Sequence, residues 1–435
     1  MPGYSAQNGE RSGAAKMQEF RNVSAREKER ENVRMNAGLE EQIRRYARVL
    51  VRIGAGLKPG QPLCVEAPVS AQEFVLVLAE EAWKEGAANV VVFWRSPLLE
   101  RREMQYRTPQ NALTLQPAAE ELAKQGAAFI RLDAPQFYED EVPAERIRLR
   151  AQINSSVRAA FRKYGGGAGQ TLACVAGKSW ADRVFADIPE AERVEKLWEA
   201  ILHCTYCDQP EPEQIWQQYL ETTAYRKTYL DSRHYQAFHY SGPDTDLTLK
   251  AADGDFWKGS CVRKENRISV PNIPTQEIFI SPHKYSAEGQ VAVTKPLNYA
   301  GEIVEGIHLT FSQGRVVQWS ADRNQKILDS IIGTDEGSCY LGEAALVDEY
   351  TPIAETGRLF YETLYDENAS CHIALGSTIG PPFDKQEKEQ RGYNTSSVHV
   401  DMMVGSKELT IRGQLPDGSW EDLLVNGRLI PLGVE

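Results

Sequence analysis

The chain contains seven histidines, few enough to consider one by one. His203 lies on a helical flank, and His234, His239, His283 and His308 stand apart from other ligand-type residues. Two have acidic company. His372 follows the run Tyr365-Asp366-Glu367-Asn368-Ala369 and opens the apolar segment HIALG; His399 is followed two residues later by Asp401. On a strand, residues i and i+2 share a face, so this imidazole and carboxylate could take one ion from the same side. Alone, such a pair is a weak signal. Glu277 lies just after the proline turn at Pro274 and before the apolar run Ile278 to Ile280. Glu343 is enclosed in LGEAALV. An ionised acid buried in such a run is costly unless paired or metal-bound; a half-exposed strand would instead point it to solvent. Asp335, in the turn before Cys339, reads as a cap.

Together, two glutamates, two histidines and one aspartate would satisfy a two-metal hydrolytic centre. One carboxylate bridges ions about 3.5–4 Å apart, and the others leave an open position for water. Oxygen and imidazole donors suit zinc, cobalt or manganese, with magnesium also possible. No HExxH helix is present, which argues against a mononuclear thermolysin-type site. Cys204 and Cys207 form the only CxxC, with no second pair at matching spacing, and read as structural thiols.

These residues need elements to hold them. The first half alternates strands (Leu63 to Glu66, Ala88 to Trp94, Ala127 to Leu132, Thr171 to Val175) with helical patterns (39–53, 71–84, 116–125, 145–163). That alternation predicts an α/β domain with a mainly parallel sheet. Gly165 to Gly169 follows a helix and precedes a strand. A phosphate loop needs the opposite order, so this run reads as a helix cap and turn. Residues 189–233 are helical in pattern and read as a connector. From His234 short strands dominate, one of them over Ile303 to Phe311, with a helix at 322–332. This half predicts an α+β domain with a curled antiparallel sheet. The organisation expected is a flexible extension over 1–34, an α/β domain with its helical connector over 35–233, and a metal-binding catalytic domain over 234–435.

Composition narrows the function class. The chain has 435 residues, 42% hydrophobic and 25% charged, with a net charge of −12. This is ordinary globular composition. The acidic balance argues against nucleic-acid binding, which needs basic stripes. No apolar run is long enough to span a membrane, and residues 1–34 lack the apolar core of a secretory signal. Scattered cysteines in odd number fit a reducing cytoplasm.

Several ordered motifs then carry a resemblance: GPDTDLTL (242–249), NIPTQEIF (272–279), LGEAALV (341–347), LYDENASCHIALG (364–376) and NTSSVHVDMMVGS (394–406). Weaker echoes are YARVLVRIGAGLKPGQ (46–61) and WADRVF (180–185). From about Leu39 to the C-terminus the chain resembles the aminopeptidase T, aminopeptidase S and PepS family of dinuclear metallopeptidases. The resemblance implies metal ligands at Glu277, Glu343, His372, His399 and Asp401, with Glu343 bridging. It also implies a cytoplasmic homodimer that removes N-terminal residues from short peptides with a free N-terminus, inside a cavity shaped by the dimer.

Two positions depart from the family pattern. Its PTEE turn reads Pro274-Thr275-Gln276-Glu277 here, and an amide does not accept protons usefully. Its tyrosine seven residues after the first histidine is Ile379 here. Tyr393 is the tyrosine that could supply a hydroxyl in its place. The expected catalytic groups are therefore Glu343 and Tyr393. The expected activity is metal-dependent aminopeptidase hydrolysis by a metal-activated water, and the alternative is a catalytically impaired homologue that binds metal and peptide.

Overall fold

The structure, a computed structural model, describes residues 37–109, 116–138, 142–143, 146, 149–150, 153, 161, 163, 169–259, 262–264, 267–299, 302–379 and 383–430. The extension expected over 1–34 and most of the segments 145–163 and 165–169 lie outside the described residues. The chain divides into two units, Met1–Gln42 and Ile43–Glu435. Of the first, only the start of the helix Ala37–Val49 is described; every described strand belongs to the second.

Five parallel strands form one sheet in the order Val90–Arg95, Leu63–Pro68, Ala128–Asp133, Gln170–Cys174 and Asn272–Ile273. Every residue of Leu63–Pro68 is buried, as expected for a central strand of a parallel sheet. The helix Ala37–Val49 runs into a π-turn at Leu50–Gly54. Gly54 lies so near the Thr171 side chain that a Cβ there would come within 2.9 Å of it. The fifth strand comes from well beyond the helical connector, and it leads to the site. Directly after Asn272–Ile273 the Ile273–Pro274 peptide is cis, and the chain passes through Gln276 and Glu277 into another sheet.

That sheet is antiparallel, in the order Ile278–Ile280, Leu341–Leu346, His372–Gly376 and His399–Met403. An open eight-stranded antiparallel sheet runs from Arg315–Ser320 at one edge to Arg428–Leu429 at the other. Two further hairpins complete the strands, and no described sheet closes into a barrel. The back of the four-stranded sheet shares its apolar core with the eight-stranded sheet, through Ile280, Leu346, Ile373, Leu375 and Met402 on one side and Leu247, Leu249, Val291, Leu309 and Ile411 on the other.

The expected strand over Ile303 to Phe311 is two, Glu302–Val304 and His308–Ser312. Gly306 separates them at φ 65°, with Asp322 in the space a Cβ would take, so the chain turns where the apolar pattern runs straight on. The expected connector is two helices, Glu190–Cys204 and Pro212–Arg233. No helix among the described residues is long and apolar enough to cross a membrane.

Candidate metal centre

Register places the candidate ligands. Across the four-stranded sheet Glu343 lies opposite Ala374, and Ala374 opposite Asp401; likewise Ala345, His372 and Met403 align, and Gly376 pairs with His399. Residues in register share a face, so Glu343, His372, His399 and Asp401 all rise from one side. Ile278, Ile280, Ala344, Leu346, Ile373, Leu375, Val400 and Met402 alternate onto the other side and fill the core. Small residues, Ala345, Ala374 and Gly376, occupy the site face between the ligands and leave room above the sheet. A β-bulge between Leu341 and Glu343 interrupts the pairing just before Glu343, a device that re-aims a side chain. The turn at Pro274 delivers Glu277 to the same face.

The side chains form two groups that share one residue. Glu277, Glu343 and His372 offer donor atoms within 4.8 Å of one another, and so do Glu343, His399 and Asp401. His372 Nε2 lies 3.2 Å from Glu277 Oε2 and 3.4 Å from Glu343 Oε1. His399 Nε2 lies 3.2 Å from Asp401 Oδ1 and 3.9 Å from Glu343 Oε2. One oxygen of Glu343 thus faces each group. Backbone carbonyls orient both imidazoles: His372 Nδ1 is 3.2 Å from Ser370 O and His399 Nδ1 is 2.6 Å from Ser377 O. A carbonyl only accepts, so Nδ1 carries the proton and Nε2 is the atom turned to the centre. His372 Nε2 and Glu343 Oε2 are buried yet make no hydrogen bond within the described structure. Buried polar atoms seldom stay unmatched. Hard oxygen and imidazole donors converging with two such atoms fit a divalent metal site.

Without metal these groups perturb one another. Burial pushes Glu343 up to about 7, with Glu277 and Asp401 adding to the rise and His372 opposing it. Burial alone would lower both histidines. Asp401 and Glu343 outweigh it to bring His399 up to about 9, and Glu277 and Glu343 hold His372 well above its ordinary value. Burial would raise Asp401, but His399 and His372 hold it below the usual carboxylate range.

Glu367, which the sequence reading did not single out, feels the charges of the same groups. Burial, followed by the charges of Glu277, Asp401 and Glu343, pushes Glu367 well above the usual carboxylate range. Its one sequence signal was the acidic run before His372. A short helix and 3-10 turn over Thr363–Ala369 carry it to the site.

Tyr393 is buried, and its hydroxyl donates to Asp255 Oδ1 at 3.0 Å. The same carboxylate receives Lys258 Nζ at 2.8 and 2.7 Å, and Lys258 also reaches Ser281 Oγ at 2.9 Å. Ile379 is 55% exposed. Gln276 is buried; its N–H donates to Asn368 Oδ1 at 2.6 Å and its side-chain amide to the Tyr206 hydroxyl at 3.2 Å.

The sequence profile of the thermophilic metalloprotease family M29 matches residues 39–429. The chain belongs to that family. It is 36% identical over 406 residues to aminopeptidase 2 of Geobacillus stearothermophilus, covering 89% of this chain and 97% of that protein. It is 35% identical over 407 residues to aminopeptidase T of Thermus aquaticus, covering 90% and 98%. Among solved structures, wild-type AmpT from Thermus thermophilus superposes with a TM-score of 0.80 at 33% identity, over 90% of this chain and 99% of that one. The motifs of this M29 chain had implied the same family. Four of them, at 272–279, 341–347, 364–376 and 394–406, run through the face just described, from the Pro274 turn to the strand His399–Met403, whereas GPDTDLTL lies in the eight-stranded sheet.

Proposed function

We propose that this M29 metalloprotease is an aminopeptidase that hydrolyses the first peptide bond of short peptides bearing a free N-terminus, using two divalent ions. The observation that carries the reading is Glu343, whose two carboxylate oxygens face two separate donor groups. Glu277 and His372 would complete one ion's ligand set, and His399 and Asp401 the other's. Zinc, cobalt or manganese suits these donors, and magnesium is also compatible. Bound divalent ions supply Lewis acidity, activating water near neutral pH and polarising the scissile carbonyl.

The chain's own groups do the rest. Ser370 and Ser377 carbonyls hold the imidazoles in the tautomer that presents Nε2. Glu367 belongs to neither donor group but lies close enough to feel the charges of Glu277, Asp401 and Glu343 on top of its own burial, and as a titratable carboxylate beside the centre it would take the proton from water and return it to the departing amine. Gln276 is unsuited to that role because an amide does not titrate. The surplus of carboxylates would attract the substrate's ammonium group. Tyr393 would act through Asp255 and Lys258, bracing the wall beside Glu343.

The family and its relatives support metal-dependent aminopeptidase activity, and nothing favours the impaired alternative. The finer parts are our reading: residues 35–233 as an α/β scaffold, 234–435 as the metal-binding domain, a homodimer, and a reducing cytoplasm in keeping with the free buried cysteines. The test is turnover by metal-stripped protein with each ion restored, on free-amine and amino-blocked peptides. Cleavage of only the free-amine set, absent in Glu343→Ala, is expected. Cleavage of blocked peptides would overturn the exopeptidase assignment. No cleavage by folded, metal-loaded protein would favour the binding-only alternative.

A further inference from the structure

The buried Gln276 is held at two points. Its backbone N–H donates to Asn368 Oδ1, and its side-chain amide donates to the Tyr206 hydroxyl. Asn368 is itself fully buried and pinned by its own amide to Leu364 O at 3.0 Å. Three distant segments therefore meet at Gln276: the link between the two connector helices, the turn at Pro274, and the segment that runs into Glu367 and His372. The residue after Gln276 is Glu277, whose carboxylate faces His372.

Tyr206 holds an unusual backbone position for this purpose. It follows the helix Glu190–Cys204 with φ 61°, the left-handed conformation that helix ends normally assign to glycine. An aromatic residue there is disfavoured, and such conformations persist where the surroundings over-determine them. The surroundings do so here. Tyr206 N–H donates to His203 O at 3.0 Å and Cys207 N–H to Leu202 O at 2.7 Å. Trp216 Nε1 donates to Thr205 O at 2.9 Å, and its ring meets the Tyr206 ring edge-on at 5.9 Å. A glycine would serve this backbone better but would provide no hydroxyl for Gln276.

We propose that Tyr206 and Gln276 form a neutral positioning latch that sets metal affinity at the Glu277–Glu343–His372 half of the centre, and that Gln276 holds the turn rather than handling protons. The inference rests on the two-metal reading, and its test separates the two. Metal-stripped full-length protein is titrated with zinc, then manganese, against a chromogenic chelator. Wild type takes up two equivalents and Glu343→Ala loses both; uptake in Glu343→Ala equal to wild type would sink the metal reading itself. With that control in place, Tyr206→Phe keeps the ring and removes only the hydroxyl. It is expected to weaken one binding step about 10-fold, within the roughly 10–100-fold range for outer-shell contacts to metal ligands, and to leave the other unchanged. Gln276→Met breaks the same bond from the other side, and the double variant is expected to be no weaker than either single one. Gln276→Glu lets the phenol donate to a carboxylate, so it should retain both binding steps and not raise kcat. Unchanged binding in Tyr206→Phe, equal weakening of both steps, or a tenfold gain in kcat in Gln276→Glu would each overturn the latch.

Discussion

The two halves of the centre are built by different means. His399 and Asp401 stand two residues apart on one strand, and Glu343 lies two strands away across Ala374; sheet register, with the bulge before Glu343, fixes all three. The Glu277 side depends on a turn. Glu277 arrives from the edge of the parallel sheet, and its neighbour is held by single hydrogen bonds to Asn368 and Tyr206. A register is enforced by a whole apolar back face, because slipping by one residue would turn that face outward. A turn held by a few side chains has no such collective support. The strand half should therefore respond to changes of backbone and volume, and the turn half to loss of individual polar contacts.

The largest expected effect comes where the halves meet. Glu343→Ala removes the shared carboxylate and should abolish uptake of both ions, with kcat/KM falling by at least about 10²–10³-fold, the scale on which removal of one transition-state stabilising group acts. A next step separates the halves. Glu277→Gln and Asp401→Asn should each eliminate one binding step and spare the other. Calorimetric titration of the two variants should give complementary single-site curves; two variants losing the same step would merge the halves into one site.

The strand half was the more legible one in the sequence. The HxD spacing at His399 and Asp401 needs only a strand to mean something, and the apolar run around Glu343 marks a buried acid. In the other half only His372 was equally legible, opening a run of five residues that are all buried. The parallel sheet was also legible in its first four strands, because buried βαβ strands are continuous apolar runs. Its fifth strand, Asn272–Ile273, was not: two residues carry no period, and only tertiary pairing with Leu172 and Ala173 defines them. Glu367 and Tyr206 escaped for a related reason. Each sits at a helix end or turn, where no periodicity tells which way a side chain faces. The sequence placed Tyr393 near the right motif, but its partner, Asp255, 138 residues away, is defined only by tertiary packing.

Packing on the strand half offers a smaller, local effect. Gly376 pairs with His399 at φ 108°, and a Cβ there would run into the Val398 carbonyl. Gly376→Ala should therefore cost roughly 1–3 kcal/mol of stability, the range for strained backbone positions. Its metal defect should fall on the His399–Asp401 step, the reverse of Tyr206→Phe. Thermal melts with metal titrations on both variants check this; a Gly376→Ala variant that weakens the Glu277 side instead would mean the two halves are mechanically one.

The most gradual effect is a dependence on pH, and its sign follows from the metal-free site. His399 titrates at about 9 in the folded chain, against an ordinary value near 6.5, so its ion pairing stabilises fully below 6.5 and is lost as pH rises through 9. Glu343, raised to about 7, favours the fold less as pH climbs from the usual carboxylate range through 7. Both trends run the same way, so the Tm of metal-stripped protein should fall from pH 6 to pH 9. Each group contributes no more than about 1.4 kcal/mol per pH unit. Metal binding must displace the proton on His399 Nε2, so the gain in Tm on adding zinc should widen over the same interval. In Asp401→Asn the histidine loses its main carboxylate partner, and the metal-free slope above pH 7 should flatten. The same slope with and without Asp401 would place the titrating group on the Glu277 side, where His372 is also held above its ordinary value.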